Sequence, residues 1–125
     1  MTRSIFGSAY PFEDAYGYSR AVRVKDQVFV SGTTARGEAL KGDAYVQARA
    51  VLGLIEAALA EAGATMHHVV RTVVYVTDLA FQQEIARAHG EAFGTIRPAS
   101  TLVQVAALTP GDARVEIETT AVITE

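Results

Sequence analysis

The sequence contains no cysteine. Disulfides, thiolate nucleophiles and cysteine–metal sites are thereby excluded. An excess of basic charge is also missing. The formal net charge is -3 at pH 7, which argues against a nucleic-acid partner, since such binders carry a basic face. No run of like charges forms a tail. The apolar runs fall far short of the roughly 20 residues that a membrane helix needs. Met1 to Tyr10 hold no apolar stretch of signal-peptide length. The expectation is a cytoplasmic protein that engages neither nucleic acid nor membrane. With only three prolines, no composition shift, no long linker and no repeat, residues 1–125 read as a single domain.

Half of the residues are hydrophobic, enough for a packed core. Arg20 to Val24 alternate, Lys25-Asp26-Gln27 form a polar break, and Val28-Phe29-Val30-Ser31 follow as a β-favouring run, so a hairpin is predicted. Gly32 to Gly42 read as a loop. Asp43 is an N-cap for a helix in which Ala48, Val51, Leu52, Ile55 and Leu59 recur at helical spacing, with Gly63 at its stop. Val69 to Thr77 read as a strand. Asp78 is placed to cap a second helix, about Leu79 to Phe93, with Phe81, Ile85, Ala88 and Ala92 on its apolar face and Gly94 at its end. Thr101 to Val105 and Arg114 to Ile123 read as strands on either side of a Thr109-Pro110-Gly111-Asp112 turn. The order is β-β-α-β-α-β-β, an α+β domain with two helices on one face of a mixed sheet.

The other face of that sheet carries information. In the last strand Val115, Ile117, Thr119, Ala121 and Ile123 point one way, and Glu116, Glu118, Thr120 and Val122 the other. In the strand over Val69 to Thr77, Val70, Val74 and Val76 alternate with Val69, Val73 and Tyr75, so both of its faces are apolar. A sheet covered on one side only does not expose a second apolar face in a monomer. Oligomerisation follows from this pattern.

Gly17-Tyr18, the run Val30-Ser31-Gly32, the strand end Val74-Tyr75-Val76-Thr77-Asp78-Leu79, and Arg97-Pro98-Ala99 leading to Val115-Glu116-Ile117-Glu118 resemble the Rid family. This is the family of reactive-intermediate deaminases, also called endoribonuclease L-PSP-like. The landmarks run in register from about Ala15 to Ile123. The resemblance implies a chorismate-mutase-like fold and a homotrimer with a central barrel, with small-molecule clefts between subunits. It further implies hydrolysis of 2-imino or enamino acids without metal or organic cofactor. It places Tyr18, Ser31, Gly32 and Glu116 in the cleft, with Glu116 positioning water. The deaminases carry an arginine directly after Pro-Ala; here that position is Ser100, followed by Thr101. An arginine fork holds a carboxylate through charge-assisted bonds of about 1.5–3 kcal/mol each, and a serine hydroxyl does not replace it. The chain resembles a subgroup lacking the deaminase arginine, and a neutral or differently charged substrate is expected. Arg97 and Arg20 are candidate substitutes for that cation; the competing reading makes them surface charges or partners of a carboxylate.

Other residues carry readings of their own. Glu116 and Glu118 share a strand face, the arrangement of an acid–base pair or of two structural ion-pair acceptors; for Glu118 the structural role is favoured. His67 and His68 diverge as neighbours, and His89 has no ligand partner one helical turn away, so no metal site is expected. His89 reads as an amphipathic-helix histidine or, alternatively, as a proton shuttle facing the cleft. Tyr75 reads as core or interface. The loop Gly32 to Gly37 lacks a P-loop lysine and belongs on the cleft rim. Two functions remain open: a hydrolase of imines or enamines carried by Glu116, Ser31, Tyr18 and Ser100, and a non-catalytic trimeric module that binds a small metabolite. A ribonuclease lacks the basic patch it would need.

Overall fold

The computed structural model describes residues 2–124. Met1 and Glu125, the ends of the predicted domain, lie outside the described residues. Six strands form one mixed sheet: β1 (Arg3–Phe6), β2 (Ala21–Val24), β3 (Gln27–Thr33), β4 (Val69–Val76), β5 (Ala99–Gln104) and β6 (Val115–Val122), in the order β1-β2-β3-β6-β4-β5. Among the described residues only β4 and β5 run parallel; every other pair is antiparallel. The helices are α1 (Pro11–Tyr16), α2 (Ala44–Glu61) and α3 (Gln82–Phe93).

Helix α2 forms where capping and periodicity place it. The Asp43 carboxylate accepts from the Val46 N–H at 2.9 Å, satisfying an otherwise unpaired donor of the first turn. Ala48, Val51, Leu52, Ile55 and Leu59 are all buried. At its end Gly63 adopts φ 87°, and the Ala64 N–H reaches back to the Leu59 carbonyl at 2.8 Å, a left-handed stop that glycine reaches without steric cost. In α3, Ile85, Ala88 and Phe93 are buried, and Phe81 and Ala92 pack against the core. Asp78 departs from its predicted role. Its carboxylate accepts from the Ala80 N–H and caps a 3₁₀ turn over Leu79–Phe81, and α3 begins after that turn.

Alternation in β6 is as read: Val115, Ile117, Thr119 and Ala121 are buried, whereas Glu118 is exposed and Glu116 half-buried. Strand β4 differs. Its register against β6 shifts between Val69 and Arg71, so Val70 leaves the alternation and is exposed, while Val69, Thr72, Val74 and Val76 face the core. Val73 and Tyr75 occupy the uncovered face, beside Thr101 and Val103 of β5. Phe29 and Val103 on that face are 43% and 39% exposed, more apolar surface than a solvated sheet face usually carries. Strand β1 and helix α1 were not predicted. The strand is four residues long and mostly exposed, and the helix spans six residues, too short for either period to register.

The loop between β5 and β6 is pinned by a side chain in α2. Gln47 is fully buried; its amide donates to the carbonyls of Leu40 at 3.0 Å and Asp112 at 3.1 Å and accepts from the Arg114 N–H at 2.8 Å.

Candidate functional site

Strand β3 is irregular where it crosses β6. Val30 lies opposite Thr119 and Thr33 opposite Ile117, so Ser31 and Gly32 share one partner position. Such a bulge bends the strand and re-aims its side chains. At Gly32 an added Cβ would lie 2.5 Å from the Glu116 Oε2. The missing side chain is what gives the Glu116 carboxylate its place. Ser31 has its hydroxyl committed, donating to the Ser19 carbonyl at 2.7 Å.

A cavity of about 330 Å³ opens over this bulge. Tyr18, Ser31, Gly32 and Glu116 line it together. Thr34 and Arg36, from the loop expected on the cleft rim, line it as well; Tyr10, Phe12 and Tyr16 from the α1 segment and Thr109 from the loop before β6 were not anticipated. Phe12 and Tyr16 stack with ring centroids 5.4 Å apart, and Tyr18 meets each edge-on. The signal available for α1 was Pro11 at the first helical turn followed by Glu13 and Asp14, a helix-start pattern.

Beneath the cavity lies a buried ion pair. Arg20 Nε meets Glu13 Oε2 at 3.1 Å with both side chains 6% exposed. The same guanidinium donates to the Gly32 carbonyl at 2.8 Å, to Thr33 Oγ1 at 3.0 Å and to the Tyr18 hydroxyl oxygen at 2.9 Å. Arg20 is therefore the partner of a carboxylate, the competing reading, with its donors spent on framing the cleft. Glu13 also accepts from the Ser8 N–H at 2.9 Å and from the Ser8 hydroxyl. Burial alone would raise its pKa; the donors from Ser8 and Arg20 outweigh burial and hold it below the usual carboxylate range. Because Arg20 donates to Tyr18, the phenol proton of Tyr18 points to other acceptors.

Glu116 shifts the other way. Burial, and then the negative charge of Glu118, push its carboxyl above the ordinary value, with Arg20 opposing. Glu118 itself accepts from the Tyr75 hydroxyl, a bond that raises the Tyr75 pKa together with burial. Glu118 thus has a structural partner, a tyrosine rather than an arginine.

The remaining sequence candidates lie elsewhere on the chain. Ser100 and Thr101 are on edge strand β5, separated from β6 by β4. Ser100 pairs with Thr72 and accepts from its hydroxyl at 2.7 Å. Thr72 Oγ1 also lies 2.9 Å from His89 Nε2. His89 is half-buried against Phe93, and burial lowers its pKa and favours the neutral imidazole. It does not line the cavity that holds Glu116. Arg97 is exposed in the turn between α3 and β5 with φ 62°, likewise outside that cavity. His67 is exposed, and His68 Nδ1 accepts from the Thr65 N–H at 3.0 Å.

The model of the family described as Endoribonuclease L-PSP matches residues 11–123. The chain belongs to that family. Within the L-PSP, or Rid, family an uncharacterized protein of Streptomyces coelicolor is 39% identical over 101 residues, covering 78% of this chain and 75% of the relative. A RutC family protein of Pyrococcus abyssi is 37% identical over 105 residues, covering 81% and 82%. Among solved structures, a Mycobacterium tuberculosis member of the YjgF/YER057c/UK114 family superposes with TM-score 0.91 at 45% identity, covering 98% of this chain and 100% of that one. A Yersinia pestis protein of the Rid family gives 0.83 at 30% identity, covering 98% and 100%. The L-PSP fold of this chain is the chorismate-mutase-like α+β architecture expected. No helix among the described residues is long and apolar enough to cross a membrane.

Proposed function

We propose that the cleft over Glu116 is a hydrolytic site for a small imine or enamine, completed by a neighbouring copy in a homotrimer. The observation that carries this reading is the bulge at Ser31–Gly32, which opens space directly against a half-buried carboxylate of raised pKa. A glutamate lifted above its ordinary range is a stronger base in its ionised form. Its role is to orient a water and take its proton as the water oxygen bonds to the imine carbon. The C=N bond becomes a C–N single bond as the nitrogen takes up the proton held by Glu116. Glu116 then relays the carbinol O–H proton to the nitrogen, the C=O bond forms and the C–N bond breaks, releasing ammonia and a carbonyl product. Tyr18 donates its phenol proton as a hydrogen bond to the polarised substrate. No metal or organic cofactor enters this scheme.

The trimer rests on the uncovered sheet face. Phe29, Val73 and Val103 lie on it, and burial against like copies would remove them from water. Ser100 and Thr101 stand on the free edge of β5, where a second copy could carry them to the open side of the cleft; Arg97 precedes that strand.

A second reading, a trimeric module that binds a metabolite without turning it over, draws support from the hydroxyls. Ser31 is tied to Ser19 and Ser100 to Thr72, so neither stands free as a nucleophile. Turnover separates the two. Freshly generated 2-iminopropionate is offered to the wild type, Ser100→Arg and Glu116→Ala. Hydrolysis by wild type that is lost in Glu116→Ala supports the hydrolase. Saturable binding with the ligand unchanged supports the module. An inert wild type with an active Ser100→Arg marks a deaminase cleft whose anchoring charge has been exchanged.

A further inference from the structure

Arg36 is the unexplained charge of the cleft. Its guanidinium carbon sits 3.5 Å from the centroid of the Tyr10 ring. Its Nε is buried with no hydrogen-bond partner, a state that native structures rarely leave without cause. Arg36 borders two cavities, the cleft over Glu116 and a neighbour of about 300 Å³ lined also by Arg20, Leu54 and Glu61. Neither Glu116 nor Glu61 forms an ion pair with it among the described residues. Arg20, the other cation of this region, is already matched by Glu13.

The charge balance is therefore uneven. Glu13 and Arg20 cancel. Glu116 is disfavoured as an anion by its burial. Desolvation, and then the charge of Arg20, oppose the positive form of Arg36, yet a guanidinium stays protonated in proteins. A half-buried guanidinium with a buried, unpartnered Nε and no carboxylate partner among the described residues is poised to gain from an arriving anion. The Tyr10 ring holds one face of its plane, which leaves the in-plane N–H fork as its means of binding, the geometry that suits a carboxylate. The aromatic wall of Phe12, Tyr16 and Tyr18 suits a flat apolar body beside that anion.

We infer that Arg36 is the anion-binding residue of the cleft, and that the ligand is a flat molecule carrying a carboxylate held by Arg36 within a single protomer. The inference rests on the cleft proposed above but not on its being catalytic. It moves the anchoring cation from the strand-edge position of Ser100 to the loop after β3, and makes the substrate class anionic instead of neutral.

Calorimetric titration of the full chain with phenylacetate and with its neutral counterpart phenylacetamide tests it. The wild type is expected to prefer phenylacetate about ten- to a hundredfold, the range of one net charge-assisted bond. Arg36→Gln is expected to erase that preference, and Arg36→Lys to retain part of it, which separates lost charge from lost structure. Glu116→Gln is expected to tighten phenylacetate severalfold at alkaline pH, where the wild-type carboxyl carries its negative charge in the same cavity. A preference unchanged in Arg36→Gln overturns the inference. So does a preference that depends on Arg36 but ignores Glu116, which places the anion in the neighbouring cavity. If phenylacetate fails to bind at millimolar concentration while 2-iminopropionate is hydrolysed, the inference falls and the hydrolase reading stands. Binding without turnover of 2-iminopropionate leaves the inference standing and removes the hydrolase.

Discussion

Glu116 and Glu118 are two residues apart on one strand face, yet their surroundings give them different work. Glu116 stands against the bare backbone of Gly32, and Glu118 accepts from Tyr75. Burial is the main cause of the raised Glu116 pKa, and Glu118 is the second. If hydrolysis requires ionised Glu116, its rate falls as pH drops through that raised value. Glu118→Gln is expected to move this acid limb to lower pH, and only in part, since burial remains. A pH–rate profile of the two proteins side by side checks it; an unmoved limb would show that another group controls the rate. Stability carries the opposite mark. A carboxyl whose folded pKa is raised favours folding most at low pH and loses that contribution as pH rises from the ordinary glutamate range through the folded value. Glu116→Gln is accordingly expected to melt higher than wild type at neutral pH.

At the scale of elements, α1 is held by the buried pair beneath it. Glu13→Gln would leave Arg20 buried and uncompensated, at a cost of about 3 kcal/mol, read as a shift in the urea midpoint. The lowered Glu13 pKa means that the stabilisation is complete above the ordinary carboxylate range and is lost as pH falls through the folded value. Wild type is thus expected to lose more of its stability in acid than Glu13→Gln does. Gln47 plays the same part for the loop before β6. Gln47→Leu keeps the volume but strands the Arg114 N–H and two carbonyls, a loss of about 1–3 kcal/mol for each group left unsatisfied, measured by thermal melting. Neither role was legible in the sequence. Gln47 lies on the core side of a helix among apolar residues, and its partners Asp112 and Arg114 are more than sixty positions away. Helix α2 and strand β6 were legible because one period governs each over many residues. Strand β1, helix α1 and the bulge at Val70 were not, being short or aperiodic. The cleft divides likewise. Tyr18, Ser31, Gly32 and Glu116 carry a motif signal and share one cavity, and Arg36 belongs to the loop read as its rim, whereas Tyr10 and Thr109 reach it from irregular segments that only the folded chain brings together.

Across the whole molecule, the helices cover one sheet face and leave the other open. Val103→Glu puts a charge into the apolar part of the open face without touching the core. In the homotrimer proposed above, this variant is expected to sediment as a folded monomer with an unchanged far-UV circular dichroism spectrum. A trimer that persists in Val103→Glu would mean that this patch is not the contact. Strand β6 sits at the centre of that division. Its odd-numbered residues from Val115 to Ala121 are buried and its even-numbered ones are not, so two messages are interleaved in one stretch of chain, one read by the core and one by whatever meets the open face. Substitutions can accumulate in the second while the first stays fixed. A lineage built on such a strand is free to change its ligand many times over without having to invent a new fold.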